Sequence, residues 1–453
     1  MKKKIMNLST LLLVVILLFS FTSCGPKPSG EDTSLDTSDE PVSELEEIEL
    51  TMWHSALTMP NEAEKPEAEW EINKLIKEFE DANPGVTIKS EYNSDQTANQ
   101  NKLKASVLAG NAPDIINIFS GYLVSSLGEV FVDITPYIPT DDLELITGWQ
   151  TVSKDLQMGN PIYGYPASGA EIGCLVYNKS LVAAAGVDLE GDAKPKNAAE
   201  FYDAMKKIQE TGVQPIIASD SGYNAAWMFP FGAWWTQYVG TERVTSNSMG
   251  STKFVDDEAF IKTLDFVAQM YKDGFINKDY TTIADPSSEF YNGKAAMMVT
   301  GNWELQNCID MLGEDAGLYT VPSFDSDVKY SDAALGGVGQ ALCVVNTSEK
   351  PEIAVKFLSF YSEKENVINF AKKMSKIPQR TDVTSEELGW TGNALFEKQL
   401  KIANTNLFGW NDNAMQPDVM NEYYIQTSLA VIGTITAEEC AEALDKKAAE
   451  ANK

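Results

Sequence analysis

Residues 163–179 read YGYPASGAEIGCLVYNK, and this stretch constrains the fold more than any other. Pro166 fixes its own φ and biases Tyr165 towards an extended backbone. Small residues follow from Ala167 to Ala170, then one carboxylate, Glu171, then the apolar run Cys174 to Tyr177. That run is too short for a stable helix and predicts a strand. Asn178 turns the chain, and Ser180 is placed to cap the helix that follows. An extended segment with little bulk thus delivers one charge into uncharged surroundings. A crossing between two lobes would look like this, with Glu171 at the cleft. An ordinary strand with a surface glutamate has the same pattern.

The flanking sequence alternates between strand and helix periods. Residues 48–53 alternate in hydropathy, and Ile72, Leu75, Ile76 and Phe79 share a helical face that ends at Asn83-Pro84-Gly85. Val86 to Tyr92 predicts a second strand, Leu103 to Leu108 a helix stopped by Gly110, and Asp114 to Phe119 a third strand. The pattern recurs after the crossing. Asn197 and Glu200 predict a capping box for a helix carrying Phe201, Met205 and Ile208. Strands are expected over 213–219, 295–299 and 341–345, with helices from Phe260 to Tyr271, around Ile353 to Tyr361 and from Ala437. Alternation of this kind implies parallel βαβ units. Two α/β lobes are the economical arrangement.

The N-terminus addresses compartment. Lys2 to Lys4 precede the apolar run Leu11 to Phe19, then Phe21-Thr22-Ser23-Cys24. This describes a secretory signal over 1–23. The cut site resembles the bacterial lipobox, with Phe21 where leucine is usual, and implies lipid on Cys24. Residues 24–47 are rich in Ser, Asp, Glu, Thr and Pro and read as a disordered tether. The remaining cysteines, Cys174, Cys308, Cys343 and Cys440, are far apart and predict small core residues.

The chain carries 35 basic and 66 acidic residues, a net charge of −31. That opposes nucleic acid, anionic lipid and strongly anionic ligands. His54 is the sole histidine, so a multi-histidine metal site is impossible. No GxSxG elbow, Walker A motif or dinucleotide fingerprint is present, and no cofactor is expected. Aromatics at predicted strand ends carry the better signal. Trp53 and His54 follow the first strand and Trp303 follows Thr300-Gly301-Asn302. Trp227, Trp234 and Trp235 lie in an irregular Gly-containing stretch, and Trp410 lies in LFGWNDN. Flat aromatics can cover the C–H faces of a pyranose, while acid and amide side chains match its hydroxyls. Core packing is the competing role for each tryptophan; Trp70 and Trp149 read as structural.

These residues resemble the extracellular solute-binding proteins of bacterial ABC sugar importers, the family that includes maltose-binding protein. The carriers are LIKEFEDANPGVTIKSEY, KASVLAGNAPDIINI, the crossing stretch, FYNGKAAMMVTGNW and LGGVGQALCVVN, in that order over most of the chain. The resemblance implies a two-lobe periplasmic-binding-protein-like fold of type II, α/β, with lobes joined by hinge strands. The lobes would span 48–167 plus 337–382 and 168–336 plus 383–450. It implies ligand contacts at Trp53, His54, Asp95, Gln96, Glu171, Asp220 and Trp303; the aromatic signal adds Trp234 and Trp410, and Gly337 is a further candidate. Phe119 and Ser120 stand where the maltose-type pattern has a Trp and an Asp, which points to a different sugar or a differently built first subsite. The expected protein is a non-enzymatic, lipid-anchored monomer that hands a mono- or oligosaccharide to permease subunits, with no nucleic acid and no membrane contact beyond its anchor. Two other readings suit the residues: a binder of cationic or peptide solutes, and a secreted glycoside-active enzyme with two facing carboxylates.

Overall fold

Alternation at the start of the chain produces the first strand, β1 (Ile48–His54), whose Leu50, Met52 and His54 turn inward. In the computed structural model the described residues are 47–453, apart from 59, 221–224, 228–229, 284, 375 and 404–406. The signal and Cys24 therefore lie outside the described residues. β2 (Val86–Tyr92) and β3 (Ile115–Phe119) flank β1 in parallel. The helix Glu71–Ala82 buries Ile72, Leu75, Ile76 and Phe79, and Phe79 meets Phe357 edge to face at 5.2 Å. Gly110, at φ +71, closes the helix Gln96–Ala109 in the left-handed region.

The remaining strands are β4 (Gly164–Pro166), β5 (Ala170–Asn178), β6 (Gln214–Ile217), β7 (Ala295–Gly301), β8 (Ala316–Tyr319), β9 (Ala334–Val338), β10 (Gln340–Val344) and β11 (Leu407–Phe408). They build two sheets, β2-β1-β3-β10-β4 and β11-β9-β5-β7-β6, with β8 also on β5. Each sheet has its own core. Met52, Ile116, Leu342 and Phe357 belong to the first, and Trp227, Trp234, Phe260 and Val299 to the second.

The sheets are mixed, not parallel throughout. β10 is antiparallel to β3 and β4, and β5 is antiparallel to β7, β8 and β9. The reason lies in the connections. Only Gly339 separates β9 from β10, and only residues 167–169 separate β4 from β5. Each link carries the chain straight from one sheet into the other, and the two ribbons so formed run in opposite directions. The two ribbons run side by side, pairing Ala341 with Pro166 at one end and Ala170 with Val338 at the other. A third crossing leans on them: the Gly169 N–H donates to Ile377 O at 2.9 Å and the Thr147 N–H to Gln379 O at 2.8 Å.

Local signals differ from expectation at two helix starts. Asn178 is itself the N-cap, its Oδ1 accepting the Leu181 N–H at 3.1 Å, while Ser180 Oγ donates to Asp315. Asn197 caps its helix through the Glu200 N–H, but Glu200 answers the Lys196 N–H, one residue outside a true box. Cys174, Cys308, Cys343 and Cys440 are buried and unpaired, and burial pushes the Cys308 thiol up to about 12.

Candidate functional site

The carboxyl ends of β1 and β3 and the Gly339 crossing meet at one place, as expected for ligand sites in open α/β sheets. Just past β3, the Ser120 N–H donates to Gly339 O at 3.0 Å and Ser120 Oγ to Val338 O at 2.5 Å. Gly121 follows at φ +79, and a Cβ there would come within 2.7 Å of Asn413 O. The first sheet's loops thus touch the segment after β11. Tyr122 reinforces this contact, its hydroxyl reaching Met249 Sδ at 3.4 Å.

A cavity of about 400 Å³ opens beside this contact. Ser120, Thr147, Gln150 and Thr151 line it from one side, and Thr241, Thr245, Gly337, Trp410 and Asn413 from the other. Leu156 stands on its rim at φ +55, a strained conformation for a leucine. No Asp, Glu, Lys, Arg or His is among the described residues that line it.

Glu171 sits behind this cavity. Its Oε1 lies 3.0 Å from Lys376 Nζ and accepts the Ser168 hydroxyl at 3.2 Å. Its Oε2 faces Gly339, where a Cβ would stand 2.2 Å from Oε2 and 3.4 Å from Trp410 Nε1. Only glycine lets the crossing pass between carboxylate and indole. Trp410 in turn faces Trp303, ring centroids 6.2 Å apart and planes at 47°. The Trp303 turn is anchored by Asn302, which accepts the Ile172 N–H at 2.9 Å and donates to Gln399 at 2.8 Å.

Behind Ser120 lies a buried amide network that sequence reading missed, apart from Gln96. Gln340 Oε1 accepts from Gln96 Nε2 at 2.6 Å and from Asn117 Nδ2 at 3.1 Å. Asn117 Oδ1 takes the Ala56 and Ser55 N–H groups, and Asn99 donates to Ser55 Oγ at 3.3 Å. Gln96 and Asn99 share one helix, but Asn117 and Gln340 lie far off in the chain, and the β1-β3-β10 order brings them together. The single available signal was the glutamine directly after the crossing glycine.

His54 is wholly buried beside Trp70 (6.5 Å) and Tyr92 (5.6 Å), and neither ring nitrogen has a hydrogen-bond partner. Burial lowers its pKa from 6.5 to about 4. As pH falls, the unfolded chain takes the proton before the folded one does. The contribution of neutral His54 to stability is therefore complete above pH 6.5 and is lost as pH falls through about 4. Replacing His54 with Phe is expected to remove on the order of 3 kcal/mol from the difference in stability between neutral and acidic pH. Urea titrations of both proteins from pH 7 to 4 measure this; equal slopes would contradict it.

The other expected contacts are dispersed. Trp53 is half-buried with Lys102 Nζ 3.7 Å above its ring, and Phe119 is half-buried at the end of β3, paired with Gln340. Asp220 is exposed, its carboxylate accepting Ser428 Oγ at 3.4 Å. Trp234 is not in the cleft: it is fully buried in the second core, donating to Pro322 O at 3.0 Å among Phe231, Phe266 and Phe324. Its helix, Gly232–Val239, is buried from Gly232 to Gln237, and Gln237 Nε2 is satisfied there by Pro322 O and Ala333 O. Trp227 and Trp235 are also core residues. Asp95 is an exposed helix cap, accepting the Ala98 N–H at 2.9 Å. Asp95→Ala is expected to cost about 1 kcal/mol of stability in chemical denaturation and leave ligand affinity unchanged.

Among the described residues no group of three His, Cys, Asp or Glu side chains is placed to hold a metal. No helix among them is long and apolar enough to cross a membrane.

Comparison with known proteins places this geometry. The model of the family described as bacterial extracellular solute-binding protein matches residues 74–398. The sn-glycerol-3-phosphate-binding periplasmic protein UgpB of Pectobacterium atrosepticum is 23% identical over 357 residues, 74% of this chain and 73% of that protein. Among solved structures, a chitin oligosaccharide binding protein superposes with a TM-score of 0.77 at 20% identity, covering 89% of this chain and 99% of that one. The sugar-binding protein MalE of Xanthomonas citri gives 0.67 at 18% identity, covering 89% and 96%. The family match runs from before β2 to beyond β10 and takes in the 167–169 and Gly339 crossings. The chain belongs to the bacterial extracellular solute-binding proteins.

Proposed function

We propose that this protein captures an uncharged mono- or oligosaccharide in the cavity between its two lobes and passes it, unaltered, to the permease of an ABC importer. The single observation that carries the reading is the lining: hydroxyls, amides, backbone and an indole, with no ionisable side chain among the described residues. Such a wall matches neutral hydroxyls with donors and acceptors and presents an apolar plate to C–H faces. A polyamine would need carboxylates, and a phosphate would find only the helix ends at Gly121 and Thr241, with no cationic side chain among the described lining residues to replace its water. The UgpB relatives are named for sn-glycerol-3-phosphate; the uncharged lining favours the sugar named for the chitin oligosaccharide and MalE neighbours. Binding without reaction fits a cavity with no general acid or base on its wall.

Capture proceeds by closure. Ligand touching both lobes favours the closed arrangement by its differential affinity, and the three crossings, at 167–169, at Gly339 and around 377–379, absorb the rotation. With β9 paired to β5 up to Val338, the lobes are 48–167 plus 340–382 and 168–338 plus 383–450. The protein acts as a monomer held at the membrane by lipid on Cys24. A thermal-shift screen of the soluble chain against a neutral saccharide library tests the reading, because bound ligand raises apparent stability by mass action. A neutral saccharide should raise the melting temperature and be recovered intact after incubation. Absence of any saccharide hit, or recovery of cleaved sugar, would overturn it.

A further inference from the structure

Glu171 does not meet the cleft as a bare charge. Its carboxylate is paired at 3.0 Å with Lys376, and the two side chains are only 8% and 13% exposed. They come from different crossings. Glu171 opens β5, three residues after Ser168, whereas Lys376 follows the helix Lys364–Met374. The backbones are locked at the same level, since a Cβ on Gly169 would lie 2.3 Å from both Ile377 O and Pro378 O. Lys376 and Ser168 share the wall of a second cavity of about 20 Å³, room for a water-sized group. The nearby Tyr361 hydroxyl is turned away, donating to Ala167 O at 2.6 Å.

A carboxylate at this depth without a partner attracts any cation that fits, because leaving it uncompensated is costly. Lys376 supplies that cation from within the chain. We propose that Lys376 is a specificity-determining residue, an internal counter-ion that lets Glu171 stand next to Trp410 while the site selects neutral over ammonium-bearing ligands. The proposal rests on the saccharide reading above. It differs from a purely structural latch, which would hold the crossings together without setting ligand charge.

Calorimetric titration at pH 6 separates these. The soluble chain and its Lys376→Met, Lys376→Arg and Glu171→Gln variants are titrated with a neutral saccharide, its 2-amino-2-deoxy counterpart of equal length, and spermidine. The wild type and Lys376→Arg should prefer the neutral sugar by about tenfold or more, one tenth of the affinity being about 1.4 kcal/mol. Lys376→Met should move that ratio at least tenfold towards the amine. Glu171→Gln, which leaves the lysine unmatched, should move it the opposite way and stands in if Lys376→Met does not fold. Equal weakening of both sugars in both charge variants means a latch and overturns the proposal, with the saccharide reading intact. If the wild type binds no sugar, the saccharide reading fails, and spermidine alone decides: binding gained by Lys376→Met supports the counter-ion role, and its absence overturns it.

Discussion

Trp410→Ala is expected to weaken saccharide binding by about 2 kcal/mol, roughly thirtyfold, with the folded state retained. Trp410 is the one aromatic among the described residues on the wall of the 400 Å³ cavity, and its indole is held between Trp303 and the Gly339 crossing. Removing it takes away the plate that covers a sugar face and leaves that face in water. The indole is 5% exposed and also packs on the second core, so some stability is lost as well. Urea titration of the variant separates the two effects: a folded protein with wild-type affinity would reduce Trp410 to packing.

Trp234→Ala carries the largest effect on stability, about 3–5 kcal/mol, by loss of burial and by the hole left behind. Its ring touches Phe201, Phe231, Phe266 and Phe324 and has no exposure. The Nε1–H to Pro322 O bond goes with it, leaving the carbonyl to Gln237 Nε2 alone. Midpoints in guanidinium chloride measure the loss. Saccharide affinity of the molecules that remain folded should match the wild type, and a shift of less than about 1 kcal/mol would place Trp234 outside the core after all.

The contrast between these tryptophans shows what the chain reveals unaided. Elements with a clean period were legible: the Ile72, Leu75, Ile76, Phe79 face, the β1 alternation and the Gly110 stop all appear where the pattern puts them. Strand direction was not legible, because it depends on which distant strands pair, β10 with β3 and β4, and β5 with β7 and β9. Within the site, composition alone cannot tell a stacking indole from a core indole. Trp410 and Trp234 both lie near glycines, yet one follows an edge strand and the other sits in the buried first part of a helix. The Gln340 network and Lys376 stayed hidden for a related reason. Each pairs with groups more than 200 residues away, and contact over that separation is a property of topology, not of local pattern.

Equilibrium titration of the soluble chain with three solutes in one buffer tests the central claim most directly. The solutes are a neutral oligosaccharide identified by thermal shift, sn-glycerol-3-phosphate and spermidine. An uncharged cavity predicts saturable binding of the oligosaccharide, little change in its affinity between low and high salt, and no binding of the two charged solutes. Tight binding of the phosphate or the polyamine, falling steeply with salt, together with no binding of the sugar, would contradict it.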